Sequence, residues 1–159
     1  INKYLNKTLN AGEIITLKGP YLDKNIPIFL NLPTLFLSNN THVIKTLNII
    51  RQLLRTGFKE PIMFISNFVD AKSIILMEEM HKLQVEHKNF TYKITLLKKE
   101  SSASSKFLLG TISININKIL PDLSSHFIYM DCNTDFLHET KKKLIELGAN
   151  DESIFIPIN

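Results

Sequence analysis

The chain is predicted to fold as an α/β domain built on a doubly wound, mostly parallel five-stranded sheet. Two observations point there. Short apolar runs bounded by turn residues, as in strands buried on both faces, alternate with longer stretches whose apolar residues recur at helical spacing. That alternation of strand and helix then repeats along most of the chain, which is the grammar of a doubly wound sheet. Composition agrees. In 159 residues, 44% are hydrophobic and 21% charged, enough apolar surface for a core and too little charge density for wholesale disorder.

The elements follow in order. Residues 1–9 read as a short helix and Glu13–Lys18 as a strand, which Gly19-Pro20 ends because proline has no donor to extend a ladder. A connector with Pro27 and Pro33 leads to the first strand of the alternation, Thr34–Leu37, closed by Ser38-Asn39-Asn40. Val43, Leu47, Ile50 and Leu54 then lie on one face of a helix over 42–54. Residues 61–66 form the second strand. Asp70 is placed to cap the following helix, with Leu76, Met80 and Leu83 as its buried stripe. Residues 90–97 form the third strand, and a polar, serine-rich loop runs over 98–105. No element is assigned between that loop and the fourth strand, 126–131. A helix over 135–147 ends at Gly148 as its C′ residue, and Ser153–Ile156 is the last strand. Parallel crossovers bring the loops at 38–42, 66–70 and 131–136 to one edge of the sheet, where a ligand would sit.

Several function classes are excluded. No apolar run approaches the ~20 residues of a membrane span, so none is expected. The single Cys132 cannot pair within the chain, which favours a reducing, cytoplasmic setting. Net charge is +4 with pI near 9.1, and the basic residues are scattered; an anion such as a nucleotide phosphate fits this balance, and no nucleic-acid partner is called for. Of the five glycines no two are closer than Gly12 and Gly19, so there is no GxGxxG or Walker A loop. The histidines show no HExxH spacing, one cysteine rules out a thiolate zinc cage, and there is no GxSxG elbow.

Three stretches resemble the ferredoxin-NADP reductase superfamily, which includes flavodoxin reductases, flavohaemoglobin reductase halves and cytochrome b5 reductases. YLNKTLNAGEIITLKGP (4–20) resembles the end of that family's flavin barrel. LFLSNNTHVIKTLNIIRQLL (35–54) resembles its first nucleotide-domain strand, pyrophosphate loop and helix, and HFIYMDCNTDFLHETKKKLIELGANDESIFI (126–156) its ending. The resemblance implies residues 1–24 as the C-terminal edge of an incomplete flavin-binding barrel and 25–159 as an NAD(P)-binding-like α/β domain. It also implies NAD(P)H as cofactor, FAD held mainly outside this chain by an upstream flavin domain of the same polypeptide, and an electron-acceptor protein as partner.

The family's functional motifs are altered here. Its Gly-Gly-x-Gly-Ile-(Thr/Ala)-Pro loop, whose glycines let backbone amides approach a pyrophosphate, is Asn39-Asn40-Thr41-His42-Val43-Ile44-Lys45. Asn39 and Asn40 tolerate left-handed geometry, so the turn itself can survive; His42, if protonated, can touch an anion or simply belong to a polar turn. The Cys-Gly-Pro motif that meets the nicotinamide is replaced by Asp131-Cys132-Asn133. One alignment puts Asp131 at the cysteine position; a one-residue shift puts Cys132 there. By resemblance, then, Asp131 and Cys132 are the catalytic candidates, with Ser38, Asn39, Asn40, Thr41, Asn67, Phe68, Lys98, Lys99 and Phe136 the cofactor-binding candidates. Phe68 would stack on adenine, and Lys98 and Lys99 would attract a ribose phosphate. Two functions remain open at this level. One is an NAD(P)H-dependent flavin oxidoreductase module passing hydride to a flavin; the other is a non-catalytic, degenerate reductase domain serving as a structural or protein-interaction module.

Overall fold

The computed structural model describes residues 31–98 and 107–157. The expected helix at 1–9, the strand at 13–18, the barrel remnant of 1–24 and the serine-rich loop from Lys99 onward lie outside them. Six strands and four α-helices are described: β1 Thr34–Asn39, α1 His42–Arg55, β2 Ile62–Phe68, α2 Met77–Glu86, β3 Phe90–Leu96, β4 Leu108–Leu109, α3 Ile112–Ile119, β5 Phe127–Asp131, α4 Thr134–Glu146 and β6 Ile154–Phe155.

The strands form one sheet in the order β4-β3-β2-β1-β5-β6, with every pairing parallel. The sheet therefore has six strands where five were expected, and is parallel throughout. The difference lies between residues 107 and 125. Leu108–Leu109 add an edge strand, and α3 carries the chain from there back to β5 on the far side of β1. A parallel pair needs a long crossover, so a third strand running straight into a fourth left a connection unassigned. Isoleucines alternate with polar residues over 112–116, a strand-like period, yet the segment is helical. Thr111 caps it by accepting from the Ile114 amide, and Ile112 and Ile116, four apart, bury together.

Side chains alternate across the sheet, so its two faces hold two cores. Phe36, Phe64, Phe90 and Tyr129 point to one face and pack beneath α1 (Val43, Leu47, Ile50, Leu54) and α2 (Met80, Leu83). Leu35, Leu37, Ile65, Ile128 and Met130 point to the other, beneath α3 and Leu144 of α4. An Arg51–Glu79 ion pair links α1 to α2, and the Ser113 hydroxyl donates to Glu139, linking α3 to α4.

Two local expectations are corrected. Asp70 caps a single 3-10 turn, Ala71–Ser73, through a reciprocal capping box with Ser73, and not the next helix. Leu76 is not in the buried stripe of that helix. It precedes α2 at φ +56°, more than a third exposed, because the chain must turn between the 3-10 segment and α2. Gly148 does follow the end of α4 with φ +91°, a conformation that side chains rarely adopt.

Candidate functional site

The order of strands sets the place of the site. From β1 the chain moves outward to β2, β3 and β4 with α1 and α2 on one face. It then returns to β5 and moves outward to β6, with α3 and α4 on the other. The connections leaving β1 and β5 therefore diverge to opposite faces, and the gap between their carboxyl ends is the switch point where open α/β sheets bind ligands.

Ser38 lies opposite Asp131 on β5 and Ser66 on β2, so these three form a row across the central strands at the ligand edge. Asn39 and Asn67 stand one residue further along. Ser38 and Asn39 belong to β1 itself, so the turn is reduced to Asn40 and Thr41 before α1 begins. Asn40 holds it with φ +48°, as expected of a residue that tolerates left-handed geometry, and its amide donates to the Asn67 carbonyl at 3.0 Å.

Two bridges cross the switch point. His42 Nδ1 lies 2.7 Å from Asp131 Oδ1. A carboxylate only accepts, so Nδ1 carries the shared proton. Asp131 is 1% exposed, and the His42 side chain that holds it is 29% exposed. Beside this pair, Asn39 Nδ2 donates to Asn133 Oδ1 at 2.8 Å while the Asn133 amide donates back to Asn39 Oδ1 at 3.2 Å. Asp131 stands just before α4 and is held by the first residue of α1. Beneath the bridges, Ser38 Oγ, Ser66 Oγ, Thr46 Oγ1 and Asp131 Oδ2 are buried without a hydrogen-bond partner among the described residues.

The other sequence candidates separate. Asn67 donates through Nδ2 to Thr95 Oγ1 at 2.6 Å and to the Gly110 carbonyl at 3.2 Å, fastening β2 to β3 and the β4 end. Phe68 is fully buried in the α1-side core, so its ring is enclosed by protein rather than presented at the edge. Cys132 points to the opposite face from Asp131 and packs with Leu37 and Met130. Burial first, and the Asp131 carboxylate second, push its thiol pKa up, which disfavours the thiolate. Thr41 is exposed, Phe136 half-buried and Lys98 exposed at the end of β3; Lys99 lies outside the described residues. Sequence reasoning missed Asn133, and it did not foresee the pairing of His42 with Asp131. The residues stand 89 positions apart, and only the adjacency of β1 and β5 joins them.

The class of fold is that of the FAD/NAD-binding domains of ferredoxin reductase-type proteins, which the chain matches structurally over most of its length. The FAD/NAD-binding domain of a nitric oxide dioxygenase from Vibrio cholerae superposes with a TM-score of 0.75 at 13% identity, over 100% of this chain and 64% of that one. A flavohemoglobin from Malassezia yamatoensis with bound FAD and heme gives 0.69 at 17% identity, over 80% of this chain and 32% of that one. A ferredoxin NADP+ reductase from Neisseria gonorrhoeae with bound FAD and NADP gives 0.65 at 14% identity, over 79% and 55%. The chain thus spans between about a third and just under two thirds of these proteins, and at such identities the likeness is one of fold. No protein-family model and no curated protein sequence matches the chain.

The described residues do not fit a reduced nicotinamide dinucleotide in the manner the resemblance implies. The loop carries side chains in place of the glycines that the resemblance implies, and the carboxylate that ends β5 is buried beside it. Among the described residues no helix is long and apolar enough to cross a membrane.

Proposed function

We propose that the chain is a reductase-type nucleotide domain that has given up hydride transfer and serves as a non-catalytic structural or protein-interaction module. One observation carries this reading: the His42–Asp131 bridge across the switch point, backed by the Asn39–Asn133 bridge. A neutral dihydronicotinamide entering there would displace His42 and leave a buried carboxylate without its hydrogen-bond donor. The desolvation penalty for such a group is several kcal/mol, against which a stacking contact is small. The Cys132 thiol, which a one-residue shift puts at the family's cysteine position, is packed on the other face.

The oxidoreductase reading keeps one supporting observation. Asn40 preserves a left-handed turn before α1, whose N-terminus begins at the ligand edge. Calorimetric titration of the chain with NADH and NADPH decides between them. The expected result is no binding up to millimolar nucleotide. Micromolar binding weakened by Thr41 and Asn40 substitutions would restore the oxidoreductase module, with flavin supplied by an upstream domain.

A further inference from the structure

We propose that the mouth between β1 and β5 is a binding site for a planar N–H-donating cation, a guanidinium or amidinium group, which Asp131 receives in place of the His42 imidazole. The proposal goes beyond the loss of hydride transfer and stands on the geometry of Asp131 alone. Asp131 is 1% exposed and offers two oxygens. Oδ1 is held by His42, while Oδ2 is buried without a partner among the described residues. A carboxylate with one unanswered oxygen is matched by a group that donates two parallel N–H bonds, which an imidazole cannot do and a guanidinium or amidinium does.

Displacing one side chain, His42, frees Oδ1. His42 is the first residue of α1, part exposed, with the exposed Asn40 and Thr41 before it. Any ligand that displaces it must replace the hydrogen bond to Oδ1, or the carboxylate stays buried and unpaired. An anion fails that condition, a neutral amide meets it without charge assistance, and a fork-shaped cation meets it at both oxygens with charge assistance. Ser38, the register neighbour of Asp131, adds an unpartnered hydroxyl that can accept a further N–H. The positive helix ends oppose a cation, but by less than a buried charge-assisted pair contributes.

The test titrates the whole folded chain with benzamidinium and with its neutral isostere benzamide, at a fixed pH above the histidine range. The blocked peptides Gly-Arg-Gly and Gly-Gln-Gly are titrated in parallel. The expected result is benzamidinium binding at least about tenfold tighter than benzamide. That binding should be lost in Asp131→Asn and strengthened in His42→Gln, which weakens the competitor. Tighter binding of the arginine peptide than of benzamidinium assigns the cation to a protein side chain, and the reverse order assigns it to a small molecule. Equal binding of cation and isostere, binding that survives Asp131→Asn, or no binding of either cation overturns the proposal. Thermal unfolding checks that each variant is folded. If Asp131→Asn is not, the His42→Gln titration decides, and unchanged cation affinity there overturns the proposal.

Discussion

Asp131 ends β5 with its carboxylate out of solvent, and among the described residues its hydrogen-bond partner is the His42 imidazole. Replacing His42 by alanine removes that donor and leaves both carboxylate oxygens unsatisfied. The expected loss is about 1–3 kcal/mol of unfolding free energy in urea denaturation, with Asp131→Asn partly rescuing the His42→Ala protein because an amide carries no charge. Cys132 follows the opposite logic. With its pKa raised by burial, alkylation by iodoacetamide should be slow in the native chain and fast in denaturant. His126 has its pKa lowered, chiefly by burial, with the Asp122 carboxylate opposing. Its folded-state pKa lies below the unfolded one, so at pH well above about 6.5 the residue is neutral in both states and contributes nothing to pH dependence. As pH falls through that value the unfolded chain takes up the proton first, and stability drops. A His126→Gln variant should show a shallower loss of stability between neutral and mildly acidic pH.

Elements are positioned here by a few polar fasteners at their ends. Asn67 is the clearest, since its amide joins β2 to Thr95 of β3 and to Gly110 at the β4 end. Asn67→Ala should destabilise the β3–β4 edge more than the centre of the sheet. Hydrogen exchange would show it as faster amide exchange in Leu96 and Gly110, with Phe36 and Leu37 little changed. Gly148 fixes the end of α4 at φ +91°, with the Asp122 and Ser124 side chains close by. Alanine there is strained, at a cost of roughly 1 kcal/mol. The element-scale lesson is α3. Its sequence ISININKI has isoleucines at strand spacing and at helical spacing at once, and the helical pair Ile112 and Ile116 is the one buried. Of the other two isoleucines, Ile114 is exposed and Ile119 packs partly buried against the same core.

At the scale of the molecule, one sheet separates two apolar cores that share no helix. Each face therefore depends on the same six strands, and loss of either core should unfold both. Leu47→Ala on the α1 face and Ile116→Ala on the α3 face should each cost about 2–5 kcal/mol. Both should move a single cooperative transition, seen alike by far-UV dichroism and by the four tyrosines, since the chain has no tryptophan. Two separate transitions would mean the faces fold as independent units.

The sequence alone determined the class of the fold, because hydrophobic periodicity and turn residues are local properties that each segment carries with it. The strand–helix alternation, the left-handed turn at Asn40 and the glycine after α4 were all legible on that basis. So was the edge on which the loops meet, which follows from the handedness of parallel crossovers. The resemblance in three stretches anticipated the structural match to FAD/NAD-binding domains, because framework residues keep their spacing where functional ones do not. Tertiary structure alone decided which strands are neighbours, and with that the chemistry of the edge. Asp131 and Cys132 are adjacent in sequence, but the pleat sends one to His42 and the other into the opposite core. Phe68 read as a stacking ring and became core, because β2 continues two residues beyond its expected end. A pair 89 residues apart leaves no periodic trace in the sequence, and pairing of β5 with β1 is what brings it together.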